Sequence, residues 1–549
     1  MTLRQLTSRS LMVLTGAAAA GMLAFGPRPP ASTAAPGRVH VTYWDKWTGR
    51  EGAQAQEIVD QFNATVGAKK GIYVELTSMS QIAQKTLVSA AAGVPPDIAG
   101  MWDPQVNQFA AQGALEPLQD EANAAGLTPD KYKPVYYRGC TYHGTLWALP
   151  STVWSAALVY NKAIFQAKAT ELRAAGLDPD RGPTSIAELD RYAAALDTWS
   201  TGPDGARRLV AAGYVPLEKP SEATSFSNLT PYWFFADFVD PTGTKLQLTS
   251  EPVVAAYDWI RGYTERIGRA QLDDFRSGFG SFDSAENPFM SGQIAMEAQG
   301  TWISAFIENM KPSMNRWHVP PEELAREKAF DRIAVGQPRG DVERLLGGAG
   351  APVAGDPATV EWPAGIKTVF VTFGPDGAVS AARADLLPAK DRQRFCQWGI
   401  VPFPSVDPAR DDVTYAGMDV LTIPRGCRHK AEAFEFIKYV QRQDVMERFC
   451  SMHGVLSPLR SVSASYLRLH PNPYVDVFER LAAGPDARSL SAIPDWPQIS
   501  DELTVVGQRI YLLDGSTRQI LSDAQRRCQR LLNGALGLPP EANVNPGGN

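Results

Sequence analysis

The sequence is most informative at first for what it lacks. It has six histidines, and no two lie within ten residues of each other, so no helix-borne zinc pair of the H-E-x-x-H kind is present. There is no C-x-x-C, no G-x-S-x-G elbow and no Walker loop, which removes the common redox, acyl-transfer and nucleotide sites. "GGAGAP" (347–352) is glycine-rich but lacks dinucleotide spacing and reads as a surface loop. Acid pairs such as Asp411–Asp412 could in principle flank a glycosidic bond, but such pairs are common on any solvated face. No catalytic residue, metal ligand or cofactor is nominated. The net charge of −6 carries no long block of one sign, which excludes the clustered basic footprint of a nucleic-acid binder.

Cysteine is scarce. The five thiols are Cys140, Cys396, Cys427, Cys450 and Cys528, and none lies near the start where a lipid would be attached. One or two disulfides are compatible with export, and an odd count leaves at least one thiol unpaired. Long apolar runs are also scarce. Leu11–Phe25 is the longest, preceded by Arg4 and Arg9 and followed by "GPRPPASTAAPG", the order of a secretory signal with cleavage after Ala34 or Ala35. It is shorter than the roughly 20 residues a membrane span needs. The expected product is an exported, soluble chain, with residues 1–35 removed.

What is present begins with alternation. "VHVTYW", "GIYVELTSM" and "PPDIAGMW" read as strands, separated by helical patterns in "REGAQAQEIVDQFNATVG" and "QIAQKTLVSAAAG". Repeated strand–helix–strand units predict a parallel sheet covered on both faces. Asp103 opens "DPQVNQFAAQG" as an N-cap. "GTLWALPSTVWSAALVYNKAIF" (144–165) is too long for a single strand and reads as a segment crossing between domains. "TSIAELDRYAAAL" opens on a capping box with Glu188 downstream of Thr184 or Ser185. "AGIKTVFVTFGPDGAVSAA" predicts a hairpin turning at Gly374–Gly377, "HKAEAFEFIKYVQRQDVMERF" one amphipathic helix, and 499–535 a further helical segment.

Thirteen tryptophans remain to be explained. Several fall at predicted strand ends or beside breakers. Trp44, Asp45, Trp47, Trp102 and Asp103 would share the carboxyl edge of the first sheet, where open α/β sheets bind ligands. An aromatic face covers the C–H face of a sugar ring, and carboxylates, amides and cations bond its hydroxyls. In "YWDKW" the rings would cover the apolar face, with Asp45 or Lys46 serving hydroxyls or forming a solvated pair. A lone tryptophan is more often core than platform, and Asp103 serves equally as a helix cap.

The motif order "PPDIAGMW…AAQGALEPL", "GTLWALPSTVWSAALVYNKAIF", "NPFMSGQIAMEAQGTW" and "VLTIPRGCRHKAEAFEFIKYVQRQDVMERFCSMHGVLSPLRS" resembles the extracellular solute-binding proteins of ABC importers. The resembling group is the carbohydrate-binding one that includes maltose-binding protein, and the resemblance spans about 39–535. It implies a two-lobed α/β fold of the type II periplasmic-binding-protein kind. Each lobe would be a mainly parallel sheet flanked by helices, with a hinge between lobes that close on the ligand. It places 36–153 and 311–420 in lobe 1, with an insert within 311–395, places 154–310 and 421–535 in lobe 2, and leaves 536–549 as a flexible tail. Carried over residue by residue, it implies ligand contacts at Trp44–Arg50, Trp102, Asp103, Trp154, Tyr232, Trp233, Gly300, Trp302, Gly417, Met418 and Trp496. At Trp154 the family's maltose binder has a carboxylate, so a ring there implies a different sugar or pose. The resemblance further implies a carbohydrate ligand, permease subunits of an importer as partners, a monomer, a periplasmic location and no catalysis, the alternatives being a non-sugar solute on the same fold or a secreted carbohydrate-active enzyme.

Overall fold

The computed structural model describes residues 36–203, 205–216, 226–281, 284–410, 412–490, 493 and 495–544. The expected signal segment, and Asp411 of the acid pair, lie outside the described residues. The chain opens with strand β1 (Val39–Asp45), helix α1 (Gly49–Ala64), β2 (Ile72–Ser78), β3 (Ile98–Trp102) and α2 (Pro104–Ala111). The long β4 (Ala148–Asn161) follows, then β5 (Met296–Gly300) and α3 (Ile303–Met310). A separate group β6 (Ala351–Val353), β7 (Asp356–Ala364), β8 (Lys367–Phe373) and β9 (Val379–Leu386) precedes β10 (Trp398–Val401) and β11 (Thr414–Thr422). The return consists of α4 (Lys430–Val440), α5 (Gln443–His453), β12 (Ala487–Arg488) and α6 (Trp496–Tyr511).

One eight-stranded sheet carries the fold, in the order β10-β4-β11-β3-β1-β2, with β12 on β11 and β5 on β4. Parallel pairing is found at β1–β2, β1–β3 and β11–β12, and the other pairs are antiparallel. The segment that looked too long for one strand is one strand. Its first half bonds β11 from Ala148 to Ser155, and its second half bonds β5 and β10 from Ala156 to Asn161. Continuous β-rich composition and burial of all but Trp154 let it serve both halves of the sheet without a break. Pro150 is tolerated near its start, opposite Val420.

The expected capping box forms at Ile186–Leu196: the Glu188 amide donates to Ser185 Oγ at 3.2 Å, and Glu188 Oε2 accepts from the Thr184 amide at 2.8 Å. The single helix expected after His429 is two, α4 and α5, separated by Gln441 and Arg442. These helices pack on α1 and β1, with Phe436 against Tyr43 (5.6 Å between centroids) and Phe62 (5.2 Å). The chain after His429, expected in the second lobe, thus contacts the first strand and helix. Residues 536–544, expected as a flexible tail, fold back: Asn533 Nδ2 donates to the Pro540 carbonyl at 3.0 Å, and Val544 is buried.

Between α3 and β10 the chain builds more than a hairpin. β6–β9 form a four-stranded antiparallel sheet with its own core of Val342, Val360, Trp362, Val369 and Val371. Arg316 ties this insert to the body, donating to Glu308 and to Glu327, each at 2.8 Å. The five cysteines are all unbridged.

Candidate functional site

β1 and β3 run parallel, so the residues at their carboxyl ends emerge along one edge of the sheet. There the sheet register sets Asp419 of β11 opposite Trp102 of β3, at an irregularity in the β4–β11 pairing between Met418 and Val420. Thr152 Oγ1 donates to Asp419 Oδ2 at 2.8 Å. The Lys46 ammonium pairs with Asp419 and lies 4.0 Å from the Trp47 ring centroid and 5.1 Å from that of Trp102. Trp102 is 48% exposed. Trp47 in turn meets His453 edge-on at 5.1 Å. His453 sits at the end of α5 with Nδ1 3.2 Å from the Phe449 carbonyl, and burial pushes its pKa down to about 4, so the ring is neutral at pH 7.

Where β4 passes between the two halves of the sheet, three rings meet. Trp154 lies 4.8 Å from Trp302 and 4.9 Å from Tyr415, both edge to face. Each indole is seated on a glycine. A β-carbon at Gly417 would come within 2.5 Å of the Trp154 ring, and one at Gly300 within 2.4 Å of the Trp302 ring. Trp302 Nε1 donates to Gln299 Oε1 at 3.1 Å, fixing the ring's rotation. Trp154 and Trp302 both remain partly exposed, so the corner offers ring surface beyond its own contacts.

Asp103 lies between these two groups. It stands at the N-cap position of α2 but makes no side-chain cap bond. Its carboxylate instead accepts from the Met418 amide (3.3 Å) and Ser489 Oγ (3.0 Å), and burial raises its pKa to about 7. Asp45 is buried against Gly100, where a β-carbon would overlap its carboxylate, and accepts from Tyr43 and from the Lys46 amide (2.7 Å). Burial raises the Asp45 pKa as well. Glu51 is raised first by burial and then by the charge of Asp419.

The structure thus brings together Trp47, Trp102, Trp154, Gly300, Trp302, Gly417 and Met418, with Asp103 beneath them. It does not gather the rest. Asp45 points into the sheet rather than outward. Trp44 alternates to the opposite face of β1 from Tyr43 and Asp45. Tyr232 is buried but stacks on Tyr415, the third ring of the corner, at 6.3 Å, so it backs the site without facing solvent; Trp233 is stacked on Phe403 at 3.9 Å and Trp496 packs against Phe238 at 5.4 Å, so these two belong to the core. Arg50 reaches away to Asn309 of α3, donating to its Oδ1 at 2.5 Å. Sequence reading missed Asp419, Thr152, His453 and Ser489. Asp419 had a signal available, an acid directly after Met418 in "YAGMDVL".

Among the described residues no group of three His, Cys, Asp or Glu side chains is placed to hold a metal ion. No helix among them is long and apolar enough to cross a membrane.

A sheet shared by two halves, crossed by β4 and β11, with an aromatic-lined edge at the crossing, defines a two-lobed binding protein of the type II periplasmic class. The chain belongs to the bacterial extracellular solute-binding protein family, whose sequence profile matches residues 57–350. Curated relatives include putative binding proteins of Brucella abortus and Brucella suis, 26% identical over 143 residues, which is 26% of this chain. The match spans about a third (34%) of the length of those relatives. The fold is also that of CpMnBP1 with mannotriose bound (TM-score 0.60, 20% identity, 89% of this chain and 99% of that one). It is likewise that of the sugar-binding protein MalE from Xanthomonas citri (0.61, 18%, 91% and 98%). UgpB from Mycobacterium tuberculosis in complex with glycerophosphocholine shares it too (0.58, 19%, 91% and 99%).

Proposed function

We propose that this protein captures a carbohydrate, a disaccharide or longer, between its two lobes and delivers it to the permease of an ABC importer. The observation that carries the reading is the Trp154–Trp302 corner. Two partly exposed indoles are set at fixed angles by Gly417, Gly300 and the Gln299 hydrogen bond. Rigid ring faces suit the C–H faces of pyranose units, and Trp47, Trp102, Asp103 and Asp419 supply further ring surface and hydrogen-bonding groups. Sugar-bound neighbours of the same fold, holding mannotriose and mannobiose, support it. The reading assigns the chain no reaction. It places the chain in the periplasm as a soluble monomer without a lipid anchor, and keeps Trp44, Asp45, Arg50, Tyr232, Trp233 and Trp496 outside the direct contact set.

Thermal unfolding against a panel of neutral mono- and oligosaccharides tests it. A ligand at a hundred times its Kd adds about 2.7 kcal/mol to stability. At roughly 2–4 °C per kcal/mol, this gives a rise of several degrees with one glycan class. Folded protein that responds to no glycan removes the sugar and favours a second reading, a non-sugar solute on the same fold. The neighbour in complex with glycerophosphocholine gives that reading its footing.

A further inference from the structure

Trp47, Trp102 and Asp419 enclose a cation, and the cation is the chain's own. The Lys46 ammonium stands over both indoles, 4.0 and 5.1 Å from their centroids, and pairs with Asp419. Indole faces attract a cation through their quadrupole, and a carboxylate neutralises it. The half-exposed Trp102 is the outer wall, so the box opens outward rather than into the core. Lys46 follows the last residue of β1 and carries its charge on a flexible four-carbon stem, so it can leave without disturbing the sheet.

The charges around the box are unevenly placed. The groups bearing on one another here include four carboxyls, Asp45, Glu51, Asp103 and Asp419, against two cations, Lys46 and Arg50. Burial first, and the charge of Asp419 after it, raise the pKa of Tyr43, Asp45, Glu51 and Asp103, and Arg50 is engaged with Asn309. Burial favours the uncharged form of Asp45 and Asp103, so the carboxylate that the box presents to a cation is Asp419, the partner of Lys46.

We propose that the box formed by Trp47, Trp102 and Asp419 recognises a protonated amine on the ligand, with Lys46 as a tethered occupant that the incoming ammonium displaces. Taken with the carbohydrate reading, on which the ligand class rests, the ligand is an amino sugar. In its present position Lys46 already acts on Glu51, whose pKa its charge lowers against the larger effect of burial. As a tethered competitor it acts at an effective concentration on the order of millimolar, so it sharpens selectivity at a cost in affinity.

The test is calorimetric titration of the folded chain with three probes: diglucosamine, its neutral counterpart cellobiose, and choline chloride, which carries a cation and no sugar ring. Lys46→Met, with Lys46→Gln as a second variant if the first does not fold, removes the occupant. It is expected to tighten choline and diglucosamine binding about ten-fold, a free-energy change of the size a desolvated cation–π contact supplies. Adding Asp419→Asn or Trp102→Ala to Lys46→Met is expected to abolish that gain. Choline affinity that Lys46→Met leaves unchanged or weakens, or a gain that survives Asp419→Asn, overturns the proposal. The neutral-glycan panel separates the two readings. Response to neutral glycans without preference for the amine removes the amine box alone, and choline binding without any glycan response removes the carbohydrate reading alone.

Discussion

The Trp154 indole occupies the space that a β-carbon on Gly417 would fill, its ring atoms starting 2.5 Å from that position. The two residues are direct partners across β4 and β11, so the contact is set by the sheet register rather than by a flexible loop. A methyl group there leaves the ring two options, to rotate off its seat or to push the strands apart. Gly417→Ala is therefore expected to weaken sugar binding ten-fold or more. Overpacking in a strand of this kind costs about 1–3 kcal/mol of stability. Titration and thermal melts of the variant check both, and unchanged affinity with a normal melt would show that the ring is not held by this seat.

Trp154 and Trp302 touch each other and, in the proposed site, share one ligand surface, so their removal should not be additive. Each single change to Ala is expected to lower glycan affinity by about ten-fold, or 1.4 kcal/mol. The double variant should fall short of the sum by roughly 0.5–1.5 kcal/mol, the coupling of an edge-to-face pair. Trp233→Phe is the core control: it should lower the melting temperature while leaving affinity within two-fold, because Trp233 is buried against Phe403.

The contrast between these tryptophans shows how far the sequence could be read. Strand alternation, the Ser185–Glu188 capping box and the Gly374–Gly377 hairpin are local patterns, and each appears where periodicity and turn chemistry put it. Trp154 and Trp233 look alike in sequence, each beside other apolar residues, and only tertiary packing exposes one and buries the other. Asp419 was missed because it lies 373 residues from Lys46, and nothing but the β3–β11 register brings them together. Asp45 was misplaced for a related reason. A strand-end carboxylate normally faces solvent, but Gly100 on the adjacent strand leaves a recess that draws this one inward. The return helices were assigned by motif order, and their packing on β1 depends on ring contacts across nearly four hundred residues.

Asp103 should leave a signature in the pH dependence of stability. Burial raises its folded-state pKa to about 7, far above the unfolded value near 4. Between those limits the folded chain binds more protons than the unfolded one, so this group's contribution to stability is fully present below about pH 4 and is lost as pH rises to 7. His453 and His470, both held down to about 4 by burial, act with the opposite sign below about pH 6.5. The measurement is thus the difference between wild type and Asp103→Asn at each pH, by chemical denaturation from pH 4 to 8. Asp103→Asn should gain on wild type with rising pH, by at most about 1.4 kcal/mol per unit. A difference that stays flat across the range would place the Asp103 pKa in the ordinary carboxylate range.

Arg50 and Asn309 give the last prediction, which concerns closure. Arg50 lies in α1, which packs on β2, and Asn309 lies in α3, directly after β5 on the far half of β4. Their hydrogen bond at 2.5 Å joins the two halves of the molecule at a margin away from the crossing strands. Beside it, Ala305 of the same helix α3 approaches Gly454, whose φ of 69° and lack of a side chain leave room for it. Contacts made only when the lobes are together favour the closed state, and a ligand that binds that state gains affinity in proportion to its population. Asn309→Ala removes the acceptor on an exposed surface, so the fold should be unaffected, with a melting temperature of the free protein within about 1 °C. Glycan affinity is expected to fall about three- to ten-fold, mainly through faster dissociation, as suits a hydrogen bond to a charged group. Small-angle scattering of the ligand-free variant should show a larger radius of gyration than wild type. Equal scattering profiles and equal dissociation rates would mean that the bond is incidental to closure.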